Sequence, residues 1–226
     1  MPYTLQYGQC GDPGKYIHLT PNYILSNDIV QSFGPKGKTI VHEWAHLRWG
    51  VYDESATEGY DEFYYDTNGK LEATRCPVSL NGENIAIDWK TGEMKPCQMD
   101  QHTNWVPGAN CTFIPYENQD PMLSSSMMSH QYIDQIFTFC HDDPNDPVNQ
   151  HNKKAPNEHN RLCNQRSVWD VIMSSADFEN GVNSPNSNIA STAPTFKFVQ
   201  PQVNKFVLVL DISGSMNGKN SKICYL

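Results

Sequence analysis

His42 and His46 stand four residues apart with Glu43 between them, an H-E-x-x-H pattern within residues 39–54. On a helix of 3.6 residues per turn, positions four apart share one face. Two imidazoles on one face can hold one Zn²⁺, and Glu43 can take a proton from a water that the ion has acidified. A catalytic zinc takes a third protein ligand and keeps one position open. Gly50 can stop the helix in the left-handed conformation. The chain can then reverse and return Asp53 or Glu54 towards the ion. Three fixed residues make a short motif, so context decides. Here Ile40, Val41, Trp44 and Leu47 give the helix apolar partners, a glycine ends it, and two carboxylates follow at once. The chemistry this points to is hydrolysis of a peptide bond.

A second constellation lies far down the chain. Residues 205–210, Lys-Phe-Val-Leu-Val-Leu, form the apolar run of a strand buried on both faces of a parallel sheet. The run ends in Asp211-Ile212-Ser213-Gly214-Ser215. Asp211, Ser213 and Ser215 thus place hard oxygen ligands in a loop where Mg²⁺ or Ca²⁺ can bind. The ten residues after Met216 cannot supply the remaining β-α units of a doubly wound domain, so this site is expected to be incomplete.

The elements that must position the first constellation are short and interrupted by turns. Tyr16–Leu19 reads as a strand after the turn at Gly11–Gly14, with His18 a lone strand histidine. Gly34-Pro35-Lys36-Gly37-Lys38 leads into the metal helix and lacks the spacing of a phosphate loop. Residues 58–66 mix acids and tyrosines; they read as a solvated loop, with a tyrosine there a lesser candidate for an oxyanion donor. A hairpin is expected around Ile85–Trp89 before Thr91-Gly92. Met127 or Met128 could form an apolar floor under the metal; equally, they could lead into a core-packed helix over Ser129–Phe139. Residues 140–163 are polar and read as a solvated loop. Ser167 is a candidate N-cap, with Asp170 at the capping-box position.

Bulk properties narrow the class. The net charge is −9, from 16 basic and 25 acidic residues, which argues against nucleic acid or an anionic membrane as partner. No apolar run approaches the roughly twenty residues that span a bilayer, so no transmembrane segment is expected. Residues 1–4 do not start a leader peptide. The seven cysteines nevertheless argue for export. They are Cys10, Cys76, Cys97, Cys111, Cys140, Cys163 and Cys224, none in a C-x-x-C pair. Such spacing in a loop-rich chain suits disulfides; the first six allow many pairings, and Cys224 is the odd thiol. Asn110-Cys111-Thr112 is an N-glycosylation sequon, which makes Asn110 a glycan acceptor in the same compartment.

The run His42–Glu54, His-Glu-Trp-Ala-His-Leu-Arg-Trp-Gly-Val-Tyr-Asp-Glu, resembles the metalloprotease motif of the calcium-activated chloride channel regulators. Residues 2–11 and 163–167 are similar to that family too. The resemblance implies Asp53 as third zinc ligand and leaves Glu54 and Glu58 as alternatives. It also implies that Asp211, Ser213 and Ser215 open a von Willebrand factor type A domain, whose adhesion-type cation site the second motif resembles. The expected fold is α+β: a zincin-like, disulfide-stapled metalloprotease domain over residues 1–180, a linker over 181–204, and the first strand of a truncated type A domain over 205–226. The implied function is a zinc endopeptidase, self-cleaving within a longer precursor, acting on a peptide or protein. The further implication is a regulatory link to a chloride channel, with the protein secreted or at the outer face of the plasma membrane. The alternative is a non-catalytic secreted fragment whose zinc site is structural or empty.

Overall fold

The computed structural model describes residues 2–25, 33–88, 90–98, 107–108 and 110–184. The chain divides into one compact unit over Met1–Ser184 and a second over Pro185–Leu226. Asp211, Ser213 and Ser215, most of the expected linker, Trp89 and Cys224 lie outside the described residues.

The first unit is α+β and built from short elements. In chain order they are β1 (Tyr3–Leu5), β2 (Tyr16–His18), α1 (Pro21–Leu25) and α2 (Lys36–Trp49). Then follow β3 (Phe63–Tyr65), β4 (Leu71–Ala73), β5 (Gly82–Ile87), β6 (Met94–Pro96) and β7 (Cys111–Pro115). Two short helices close the unit, α3 (Glu158–Leu162) and α4 (Val168–Met173). Every pairing between these strands is antiparallel: β1 with β2, β3 with β4, and β6-β5-β7 in a three-stranded sheet. The expected hairpin is the β5–β6 pair, with Ile85 opposite Pro96.

The β1–β2 pair lies against α2. The backbone N–H of Gly14 donates to the Leu47 carbonyl at 2.8 Å, and that of Gly11 to the Gly50 carbonyl at 3.1 Å. Gly50 stops α2 with φ 61° and ψ 31°. A Cβ there would stand 2.4 Å from the Asp12 carbonyl oxygen, so the turn requires glycine both for its conformation and for the close approach.

The burial of α2 departs from the expected pattern. Val41 and Trp44 are 43% and 46% exposed, whereas Thr39, Glu43 and Ala45 are buried. The helix therefore turns the face that carries Glu43 inward, and of its four apolar residues Val41 and Trp44 face out while Ile40 and Leu47 are half-buried. Packing behind it comes from α4: Val168, Val171 and Ile172, spaced i, i+3, i+4, bury against Ala45, Val51, Tyr52 and Met128. Ser167 caps α4 as its sequence position predicts, its hydroxyl accepting from the Asp170 N–H.

Two further expectations are corrected. Residues 129–139 form turns rather than a helix; Ile133 and Ile136 reach the core from that loop beside Leu80, Leu123 and Met127. Residues 140–163 are not a solvated loop. His151, Asn152, Asn157, His159 and Asn160 are all buried. They bond one another: His151 meets Glu54 through Nδ1 at 2.8 Å and Asn160 Oδ1 through Nε2 at 2.7 Å, and Asn160 donates to the Asn152 and Ala155 carbonyls. Polar residues can fill an interior when each donor and acceptor finds a partner, and composition alone does not reveal that pairing. Three disulfides cross-link the unit: Cys10–Cys163, Cys76–Cys140 and Cys97–Cys111.

Candidate metal centre

The H-E-x-x-H stripe of α2 brings His42 and His46 onto one face, and the turn at Gly50 carries Asp53 back to meet them. His42 Nε2 lies 3.2 Å from His46 Nε2. Asp53 Oδ1 lies 3.2 Å from the first nitrogen and 3.5 Å from the second. A tetrahedral centre with zinc–ligand bonds of about 2.0–2.1 Å has edges of about 3.3–3.4 Å. The three atoms thus form one face of such a tetrahedron and leave its fourth corner to be filled from outside.

The rings are oriented from behind. His42 Nδ1 donates to the Met127 carbonyl at 2.8 Å, and His46 Nδ1 to the Val51 carbonyl at 2.7 Å. A carbonyl only accepts, so each Nδ1 carries the ring proton and each neutral Nε2 presents a lone pair. Two nitrogen lone pairs and a carboxylate oxygen then converge on one point, which is unfavourable unless positive charge sits among them. Protonation shows the same demand. Burial resists charge on His42, yet the hydrogen bond and charge of Asp53, the Met127 carbonyl and Glu43 outweigh it and raise its pKa to about 9. Burial likewise opposes charge on Asp53, and His42 and His46 outweigh it, holding the carboxyl well below the usual range. A divalent cation supplies that positive charge more fully than a proton does, and the residues present fit Zn²⁺.

The alternatives for the third position lie elsewhere. Glu54 points inward, accepting from Ser126 Oγ at 2.5 Å and facing His151 at 2.8 Å. Glu58 is exposed and outside the His42–His46–Asp53 group. Glu54 also lies near Cys76 and Cys140, but those sulfurs form a disulfide and offer no thiolate.

Glu43 is only 6% exposed and opens onto the same cavity. Thr4 Oγ1 on β1 lies 2.7 Å from Glu43 Oε2 and 2.9 Å from the Glu43 carbonyl. With one hydroxyl proton to give, it favours the nearer, charged oxygen. The cavity is about 470 Å³ and is walled by Tyr3, Gln6, Phe33, Tyr132 and Glu158 around the histidines. Tyr132 was missed from sequence, as were Tyr3 and Thr4. Burial, and then Glu62, push the Tyr132 phenol up to about 12, so it keeps its proton and can donate. None of the three tyrosines of residues 58–66 lines this cavity; Tyr60 is engaged with Arg161 and Tyr64 with Asn152. Asn157 and His159 were also missed. Asn157 Nδ2 donates to the Glu54 carbonyl, the His159 N–H to the Asp53 carbonyl, and the Tyr52 N–H to His159 Nδ1. They pin the segment that presents Asp53. Asn110, the glycan candidate, is exposed at the turn before β7.

Residues 1–184 match the family model described as calcium-activated chloride channel N terminal. The chain belongs to the calcium-activated chloride channel regulators. It is 41% identical to calcium-activated chloride channel regulator 1 of Bos taurus over 97% of its own length and 23% of that protein. It is equally similar to regulator 3A-1 of Mus musculus, over 98% of the chain and 23% of that protein. Regulator 2 of Homo sapiens is 37% identical over 95% of the chain and 21% of that protein. The chain thus spans under a quarter of the length of these curated relatives. No solved structure matches it.

Proposed function

We propose that this regulator chain carries a zincin-like endopeptidase centre, with His42, His46 and Asp53 as zinc ligands and Glu43 as general base. The observation behind this reading is the convergence of three acceptor atoms at tetrahedral spacing beside a buried carboxylate. Bound zinc would supply Lewis acidity at a scissile carbonyl and acidify the attacking water. Glu43 takes that water's proton and returns it to the leaving amine. Thr4 holds one carboxylate oxygen of Glu43 and leaves the other for the reaction. Tyr132, a wall residue whose phenol keeps its proton, is suited to donate to oxygen that gains charge.

The wider reading follows the family. The substrate is a peptide or protein, and the regulatory partner is a chloride channel at the cell surface, the activity named for the relatives. Three disulfides among the described residues suit an oxidising compartment, hence a secreted or cell-surface protein with a glycan on Asn110. No helix among the described residues is long and apolar enough to cross a membrane. On this reading residues 1–180 are the protease domain, 181–204 a linker, and 205–226 the start of a type A domain, with Asp211, Ser213 and Ser215 the candidate ligands for Mg²⁺ or Ca²⁺.

The test compares the full chain with its Glu43→Gln variant for bound zinc and for peptide cleavage. Zinc in both proteins, with cleavage reduced by about 10²-fold or more in the variant, supports the enzyme. Zinc in both with cleavage in neither supports the non-catalytic regulatory fragment.

A further inference from the structure

The cavity beside the metal group has a one-sided charge. Among the described residues that line it there is no lysine or arginine, while Glu43, Asp53 and Glu158 all do so. A divalent cation on His42, His46 and Asp53 matches the charges of Asp53 and Glu43. Glu158 is then left as the unmatched charge of the wall. Its nearest candidate partner along α3 is Arg161, three residues on, and Arg161 is committed elsewhere. The Arg161 Nε–H donates to the Tyr60 hydroxyl at 2.5 Å, and its guanidinium lies 5.6 Å from the centre of the Tyr60 ring. Among the described residues the Glu158 side chain makes no hydrogen bond or ion pair, and it is partly exposed. A cleft walled by one sign of charge concentrates ligands of the other sign.

We infer that Glu158 is a specificity-determining residue that selects a lysine or arginine side chain next to the scissile bond of the substrate. This rests on the endopeptidase reading of the same cavity. The incoming cation takes the place that Arg161 leaves vacant, and a carboxylate at that substrate position meets repulsion from Glu158. The plainer role for an acid in the first turn of a helix is to favour the helix itself. That role would affect stability and leave substrate choice unchanged.

The test offers the zinc-loaded full chain a peptide library randomised around its centre, with cut sites read by mass spectrometry. Lysine and arginine should be favoured over glutamate by about tenfold at one position beside the cut. Glu158→Gln should erase that preference while neutral sites are still cut, and Glu158→Lys should transfer it to aspartate and glutamate. In parallel, immobilised zinc-loaded Glu43→Gln protein is asked which library peptides it retains. Basic peptides should be enriched, and a Glu43→Gln/Glu158→Gln protein should lose the enrichment. If the wild type cuts nothing but Glu158-dependent retention of basic peptides holds, the subsite stands and the hydrolase reading falls. If cutting occurs with no charge preference, or the preference survives Glu158→Gln, the subsite is overturned and the hydrolase reading stands. Neither cutting nor retention overturns the subsite as well.

Discussion

Thr4 and Glu43 come from positions 39 residues apart, yet the hydroxyl of one closes on the carboxylate of the other. No local pattern announces such a contact, because strand and helix residues meet only once the chain has folded. His42, Glu43 and His46 were legible for the opposite reason: one helical period fixes their relation wherever the helix sits. Replacing Thr4 with valine keeps the shape and removes the hydroxyl. We expect kcat to fall about tenfold with zinc content unchanged, and Thr4→Ser to restore most of it, as steady-state kinetics with metal analysis will show. His130 gives a second prediction. Burial, and then the charge of Arg75, lower its pKa from 6.5 to about 3. Below pH 6.5 the unfolded chain takes up a proton that the folded chain refuses until about pH 3. Stability held above pH 6.5 is therefore lost as pH falls, by up to about 1.4 kcal/mol per unit. Urea midpoints at pH 7 and pH 5 should differ in that direction, and less so in a His130→Gln variant.

At the scale of elements, α2 was found by its motif and its glycine stop, but its orientation was not. The exposed Val41 and Trp44 show why: the buried stripe is set by what the helix must present to Asp53 and β1, and hydrophobicity does not report that. The segment after Gly50 is held by Asn157, the N-cap of α3, and by His159 within it, in a stretch that composition marks as solvent-facing. Through bonds to the carbonyls of Asp53 and Glu54, these two residues position the backbone that carries the proposed third ligand. Removal of such a partner costs about 10- to 100-fold in metal affinity. His159→Ala removes the ring that accepts from the Tyr52 N–H and should weaken zinc binding by up to that amount in competition with a chelator, while a surface change such as Glu58→Gln should leave affinity as it is. Equal affinity in His159→Ala and wild type would mean that α3 does not support Asp53.

For the whole molecule, the cysteine count pointed to cross-links but not to their pairing. Cys10 and Cys163 are 153 residues apart, and only the packing of the first loop on α3 makes them neighbours. That bridge ties the β1–β2 turn, which touches both Leu47 and Gly50, to the helix that supports residues 51–54. The interior is correspondingly mixed, with an apolar cluster around α4 and a polar network around Glu54 and His151. Within this frame two histidines and an aspartate lie to within a few tenths of an ångström of a tetrahedral face. The most direct test is the zinc content of the purified full chain after equilibration with Zn²⁺, beside an Asp53→Ala variant. One tightly held ion per wild-type chain is expected, and weak or absent binding in the variant. A wild-type chain that holds no zinc, or an Asp53→Ala chain that holds it as tightly, would contradict this expectation.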